Sequence, residues 1–501
     1  MVSAPAGPGE RALPSLLAGL CAFVLYLAVL PATPGVGDSA ELTLALALAG
    51  VTHPTGYPLY ILLGHPFVKA LRALGLPWAA ASNLWSAAGA AVAVVFLVRF
   101  GQTLVARGAP GRWAAVVAPA VLIGIHPLWI FAATQAEVYS WWYAWIAGAA
   151  WFTAARLEAP VAPDARGSAL RAGAAWGAVA GLGLAHHILA VAFVLPLTAA
   201  WIAVTARSGR RLGGFVAGMA LGAAIPLFSY SLVAWRAFHP AVIQWPVEPT
   251  WSGVWAHLRG AAYGRYLGGF APNAGQVRML DVMIAPFLPL VALTGLWALR
   301  AAPALRPTLI ALLAGVTLLA AFVFRYGVPD PAMYLVPALM VGSLAAVPAL
   351  AWLARRASAR AAVLVLAAVA IADGAWGLRH ALEERRRLDR ADALIRAAWR
   401  EIPFDQGVVL WRDDHCSRLQ VLRWLEGSRP GLLPENPNML AWGPRRRAFI
   451  ERVGIDPLEG LELSNPAYVD SIAGNIRRRS RFPVIEFPEV LDRVRAHAVR
   501  R

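Results

Sequence analysis

Residues 79–98 read AAASNLWSAAGAAVAVVFLV, twenty residues without a charge. Coiled as an α-helix at about 1.5 Å per residue, the stretch is about 30 Å long, the thickness of a bilayer's hydrocarbon core. It does not stand alone. Residues 12–31, 212–235, 281–299, 307–324 and 332–352 are comparable apolar runs. A soluble enzyme with an Ala-rich core would break such runs with polar residues every turn or two, because one face of each helix would meet water. The chain therefore reads as a polytopic membrane protein.

Composition agrees. The 501 residues are 59% hydrophobic and only 15% charged, with 21 tryptophans, a residue enriched at membrane interfaces. The formal net charge of +17 comes almost wholly from arginine. The arginines lie in short clusters between apolar runs, the pattern of cytoplasmic loops rather than of a nucleic-acid-binding surface, so no nucleic-acid partner is expected. The two cysteines, Cys21 and Cys416, supply neither a disulfide framework nor metal-ligand spacing, and no metal ligands are assigned. The stretch 28–32, Ala-Val-Leu-Pro-Ala, is a poor cleavage site, so residues 12–31 are expected to stay as a first span rather than to leave as a signal peptide.

With Arg11 placed in the cytoplasm, loop charges give about eleven spans. The first, about 13–31, leads outward to a long excursion, 32–78. Its two half-apolar stretches, 41–51 and 58–74, read as interfacial or re-entrant helices. Further spans follow at 79–98, 113–132 and 137–155, then a pair sharing 172–206 that turns near His186-His187. Residues 212–235 lead to an outward loop, 236–280, and the remaining spans end with 361–377. The expected domains are a transmembrane unit, 1–380, and a small soluble C-terminal domain, 381–501, facing outward. In that domain 381–400 read as a charged helix, Val408–Trp411 as a strand and 417–427 as another helix, giving a small α/β or irregular fold. The expected location is a bacterial inner (cytoplasmic) membrane, with the N-terminus cytoplasmic and the C-terminal domain periplasmic or extracellular.

Ionisable groups gather on the side assigned outward. In Pro34-Gly35-Val36-Gly37-Asp38-Ser39-Ala40-Glu41, Asp38 and Glu41 have the spacing of a helix cap and its capping-box partner. The same carboxylates could take a proton from an incoming hydroxyl, and both readings can hold together. In Thr52-His53-Pro54-Thr55-Gly56-Tyr57-Pro58-Leu59-Tyr60 the prolines and glycine break the apolar run at a defined place, as a pocket wall or a structural turn would. Glu137 and Tyr139 open a span, His186 and His187 sit at a turn, and Asp330 precedes another span with Arg325 nearby. Ionisable groups are costly within or beside a membrane and mark a site by default. The loop 243–266 carries Trp245, Trp251, Trp255, His257, Arg259, Tyr263, Arg265 and Tyr266. Such a loop suits a sugar phosphate, with arginine as clamp, or a plain aromatic belt. No nucleotide-binding, zinc-protease or serine-hydrolase motif is present.

Gly37-Asp38-Ser39-Ala40-Glu41, followed by Gly50-Val51-Thr52-His53-Pro54-Thr55-Gly56-Tyr57-Pro58-Leu59-Tyr60, resembles the DUF2723 family. That family includes bacterial membrane proteins of uncertain substrate and an animal protein O-mannosyltransferase. Further matches follow in order: Gln135-Ala136-Glu137-Val138-Tyr139, Gly181-Leu182-Gly183-Leu184-Ala185-His186-His187, Gln244-Trp245 with Trp255 and His257, and Tyr326-Gly327-Val328-Pro329-Asp330 with Tyr334 and Pro337. The resemblance spans roughly 12–350. It implies a GT-C-type multi-span glycosyltransferase fold. It also implies a polyprenyl-phosphate sugar as donor, mannose being one candidate, with no other cofactor assigned, and a protein or glycan hydroxyl as acceptor.

Carried across, the general base falls on Asp38, with Glu41 second. His53 and Tyr57 would shape the acceptor or phosphate region. Glu137, Tyr139, His186 and His187 would line the cavity, and Asp330 would orient a substrate group. Trp245 and His257 lie in matched motifs. Arg259, Arg265 and Arg325 are the candidates to balance the departing phosphate. The chain departs from the family at His186, where asparagine is frequent, and in a tail without helical repeats. Membrane lipids are the remaining expected partners. The alternative function is a transporter or flippase for a lipid-linked or small polar solute, which would call for internal repeats; none is visible.

Overall fold

The structure is a computed structural model. It describes residues 8–105, 108–157, 167–207, 212–268, 274–301, 305–327, 331–464 and 467–487. Helices dominate. α1 (Pro8–Val29) leads to two short helices, α2 (Ser39–Leu48) and α3 (Pro58–Ala73), and then to α4 (Trp78–Leu104). α5 (Arg112–Gly124) and α6 (Pro127–Thr134) meet at a 69° bend. Pro127 cannot donate the hydrogen bond that would continue α5 and instead starts the new helix, so the span expected over 113–132 is broken rather than straight. α7 (Tyr139–Leu157), α8 (Ser168–His186) and α9 (Val191–Arg207) follow, the last pair turning at His187 as expected.

α10 (Leu212–Leu227) and α11 (Ser231–Phe238) run to a loop carrying α12 (Trp251–Leu258). α13 (Ala274–Met283), α14 (Leu288–Arg300), α15 (Arg306–Val323), α16 (Pro331–Ser343) and α17 (Ala346–Arg356) complete the bundle. α18 (Ala359–Glu401) is one helix of 43 residues, about 64 Å long, and the expected boundary at 380/381 falls inside it.

Among the described residues eight helices are long and apolar enough to cross a membrane, or nine if the bent pair is one span. Eleven were expected. α7 and α8 account for the difference, each 19 residues long. Their compositions, rich in Trp and Tyr in α7 and in Gly and Ala in α8, make them less apolar than the rest. The outer surface of the bundle is apolar: Ile225 is 80% and Ile371 73% exposed, the arrangement of lipid-facing side chains. Where helices must approach closely, glycine provides the room. Gly173, Gly177 and Gly181 of α8 lie against Phe215, Met219 and Ala223 of α10, while Gly218 and Gly222 of α10 lie against Leu170 and Ala174 of α8; an added Cβ on Gly177 would lie 2.1 Å from the Met219 carbonyl oxygen. Small residues four apart are the usual means of close helix packing in membranes.

The C-terminal domain holds a three-stranded parallel sheet in the order β2-β1-β3, with β1 Gly407–Leu410, β2 Leu432–Glu435 and β3 Val484–Glu486. α19 (Asp413–Gln420), α20 (Gly443–Val453) and α21 (Tyr468–Arg479) accompany it. Val409 faces Ile395 and Trp399 of α18 and Leu419 of α19. Val408 and Leu410 face Phe449 of α20 and Ile472 of α21. Both faces are thus covered, which parallel strands require. The last turns of α18 therefore belong to the core of this domain. Arg429 closes the helix by donating to the carbonyls of Trp399 and Ile402 at 2.7 and 2.9 Å, groups with no partner inside the helix.

Candidate functional site

The polar face of α4 sets the frame. Asn83 donates from Nδ2 to Pro31 O and Thr33 O at 2.9 and 3.1 Å, and its Oδ1 accepts the Ala136 N–H at 2.8 Å. Ser86 Oγ accepts the Glu137 N–H at 3.0 Å. One helix thereby fixes both the first loop and the segment between α6 and α7. Gln135 completes the connection, its Oε1 accepting the Val36 N–H at 2.8 Å.

Asp38 stands at the N-cap position of α2, but its side chain makes no capping hydrogen bond. Glu41 does not reach back to it either. Glu41 Oε1 accepts the His53 N–H at 2.6 Å and faces His53 Nδ1 at 3.2 Å. The capping-box reading is corrected accordingly: the carboxylates converge on His53 instead, with Asp38 Oδ2 3.6 Å from Nε2. The Tyr57 hydroxyl lies 3.0 Å from that same Nε2. Tyr57 occupies the left-handed region at φ 42° and follows Gly56 at φ 92°, a backbone state uncommon for a bulky residue and frequent at functional sites. Burial pulls the proton off His53, but the charges of Asp38 and Glu41 and the Glu41 hydrogen bond outweigh it, and the imidazole is raised to about 9. At neutral pH the ring is thus a cation between two carboxylates, with both nitrogens donating.

These groups lie in a cavity of about 840 Å³. On the bundle side Asp38, Glu41, His53, Trp245, Tyr263 and Tyr266 line it. The C-terminal domain supplies the opposite wall, including Asp414, Gln420, Asn436, Trp442 and Arg445. The Asp38 side chain is 53% exposed, against 20% for Glu41, so Asp38 is the more exposed of the two carboxylates on the cavity. The Trp245 ring approaches His53 edge-on at 6.0 Å and Trp442 at 5.7 Å.

Behind this layer lies a second, enclosed one. Tyr57 stacks on His187 at 5.2 Å, and His187 on Trp142 at 5.0 Å. Tyr139 contacts His187 and Tyr334, and Glu137 is buried within electrostatic reach of His53. His257 is buried too, with its proton affinity lowered to about 3, first by burial and then by His53.

Other candidates lie elsewhere. His186 packs against Tyr60, with Nε2 2.8 Å from the Val138 carbonyl, so it does not line the cavity. Arg259 and Arg325 are exposed and are not among the lining residues. The Arg265 side chain and the whole of Asp330 lie outside the described residues. Trp251 and Trp255 are exposed and suit the belt reading. Among the described residues, the arginine that lines the cavity is Arg445, tied through Nε to Glu435 at 2.7 Å. No motif pointed to it, because the lining residues of the tail are scattered over 414–468 without a repeated spacing.

Asp38, Glu41 and His53 offer ligand atoms within 4.8 Å of one another. Two carboxylates and an imidazole form a donor set suited to a divalent cation. The same atoms are also satisfied as a carboxylate–imidazolium cluster.

A sequence profile described as the Protein O-mannosyl-transferase TMEM260 N-terminal domain matches residues 38–210. Among solved structures, ArnT from Cupriavidus metallidurans bound to undecaprenyl phosphate is similar, with 16% identity and a TM-score of 0.48. The match covers 83% of this chain and 88% of that one. Archaeoglobus fulgidus oligosaccharyltransferase in complex with Zn and sulfate has 14% identity and a TM-score of 0.47, over 92% of this chain and 66% of that one. No curated protein matches the sequence.

Proposed function

We propose that the chain is a glycosyltransferase that moves a sugar from a polyprenyl-phosphate donor to a hydroxyl acceptor at the outer face of the membrane, with Asp38 as general base. The observation that carries this reading is the convergence of Asp38, Glu41 and a buried His53 on one cavity between an apolar bundle and a polar domain, with Asp38 the more exposed carboxylate. The profile match over 38–210, which includes this cluster, supports it.

The chemistry follows from the parts. Asp38 accepts the acceptor's hydroxyl proton as that oxygen forms a bond to the anomeric carbon. The bond from this carbon to the phosphate oxygen breaks, and its electron pair leaves with the phosphate. The His53 cation, 3.6 Å from Asp38 Oδ2, holds that carboxylate in place by charge attraction. Arg445, which lines the cavity and pairs through Nε with Glu435, is the group proposed to donate to the phosphate. Glu41 positions His53. A single displacement inverts the anomeric centre, and mannose is a candidate sugar.

The test uses the full chain in nanodiscs with polyprenyl-phosphate sugars, alongside mass spectrometry of glycans and glycoproteins from cells with and without the gene. Asp38→Asn is expected to insert and fold but to lower transfer by about 100-fold or more. Product formation at the wild-type rate in that variant would remove Asp38 from its role. A product that keeps the donor configuration would exclude the direct displacement.

A further inference from the structure

The segment that delivers Asp38 to the cavity is held from two sides. From the bundle, Gln135 takes the Val36 N–H, and Gly35 lies so close to the same side chain that an added Cβ would be 2.1 Å from its Oε1. From the C-terminal domain, two residues one turn apart on α19 reach the same backbone. Arg418 donates from Nη2 to the Gly35 carbonyl. The Asp414 carboxylate lies within electrostatic reach of the Gly37 N–H, one residue before Asp38.

Arg418 is 3% exposed, an expensive place for a guanidinium unless nearby charges answer it. Asp414 does so with Oδ2 3.8 Å from Nε, and Asp392 and Glu384 of α18 add to the field. Nε and Nη1 of Arg418 have no hydrogen-bond partner among the described residues, so the side chain's directed hydrogen bond is spent on Gly35.

A docking anchor with no bearing on chemistry would explain a buried arginine whose hydrogen bond crosses from the C-terminal domain to the bundle. The interface has such contacts already: Trp78 Nε1 donates to Leu425 O at 3.2 Å, and Arg447 pairs with Glu248 at 2.7 Å. Neither touches the Asp38 loop. Arg418 reaches its backbone at the Gly35 carbonyl, and Asp414 lies beside the Gly37 amide, the groups that flank Val36. Gly37 adopts φ 60°, so the direction in which the chain leaves for Asp38 depends on how these groups are held.

We infer that Arg418 and Asp414 are positioning residues, fixing the Gly35–Gly37 backbone so that the Asp38 carboxylate faces the cavity. The C-terminal domain is then part of the reacting site and not only its cover. The inference rests on the role proposed for Asp38.

The experiment compares wild type, Arg418→Gln, Asp414→Asn and Arg447→Ala, each as the full chain in nanodiscs. In the first two variants, amide exchange in the peptide covering 34–40 is expected to quicken about tenfold or more. Their kcat should fall about 10- to 100-fold, with donor KM changed less than about twofold. Arg447→Ala, which breaks a docking pair away from the loop, should leave both unchanged. In an Asp38→Asn background, Arg418→Gln should add no further loss, since both act through one carboxylate. Unchanged exchange at 34–40, or an equal kcat loss in Arg447→Ala, would overturn the inference. Should the wild type transfer no sugar at all, the glycosyltransferase reading fails, and the exchange measurement still decides whether the clamp exists.

Discussion

His53 is the residue on which opposing forces meet most directly. Burial disfavours its charge, while Asp38, Glu41 and the more distant Glu137 favour it, and the net value is about 9. The unfolded chain releases this proton near 6.5, so the folded state binds it more tightly. The resulting stabilisation is complete below about 6.5 and is lost as pH rises through about 9. Thermal unfolding between pH 6 and 10 is expected to show a decline in the wild type that is absent in His53→Gln, with Tyr57 and the carboxylates otherwise unchanged. A proton and a divalent cation compete for the same imidazole nitrogen. Turnover near neutral pH is expected to survive chelation by EDTA; loss on chelation, restored by a divalent ion, would put a metal in place of the proton. Asp38, Glu41 and His53 were all legible in the sequence as unusual residues. Their partnership was not. An acidic residue three positions after Asp38 has the spacing of a capping box, and only the folded loop shows that Glu41 turns to a backbone amide twelve residues on.

At the scale of elements, length and apolarity locate most helices, because a bilayer imposes one length on them. Bends and continuity are harder to read. The 69° corner between α5 and α6 follows from Pro127, yet a proline within an apolar run is compatible with a straight or a broken span. The composition shift near residue 380 suggested a boundary, but nothing there stops a helix, and α18 continues. Gly377 is what lets it pass the corner: a Cβ there would lie 2.0 Å from the Ile125 carbonyl oxygen. The glycines of α8 and α10 make a similar demand. Gly177→Leu must displace the Met219 backbone and is expected to destabilise the bundle by about 1–3 kcal/mol or more, measurable as a lowered melting temperature in detergent. Arg429→Ala strips the cap from α18 and should cost about 1–3 kcal/mol, read in the unfolding of the C-terminal domain.

For the whole molecule, the bundle presents the carboxylates and the C-terminal domain presents a facing wall of amides, an arginine and a tryptophan. Sequence reading put both parts on one side of the membrane, with the tail as a cover or acceptor platform, but could not name the residues that meet, because the tail's lining residues carry no motif and their relation to the first loop exists only in three dimensions. Deleting 402–501 is expected to leave the spans inserted, as protease protection would report. It should abolish turnover, since the deletion removes one wall and both contacts to the Asp38 loop. A truncated chain with wild-type activity would show the tail to be dispensable.

The contact between Gly35 and Arg418 joins residues 383 positions apart. A ribosome adding about 5–20 residues per second needs roughly 20–80 s to cover that distance. Through that interval the first loop is already made while the side chains that will hold it are not. The nascent protein therefore passes through insertion with its proposed base unaligned, and competence arrives in one late docking step. Synthesis order alone thus leaves the proposed base without its clamp until the segment carrying Arg418 has been made and has docked.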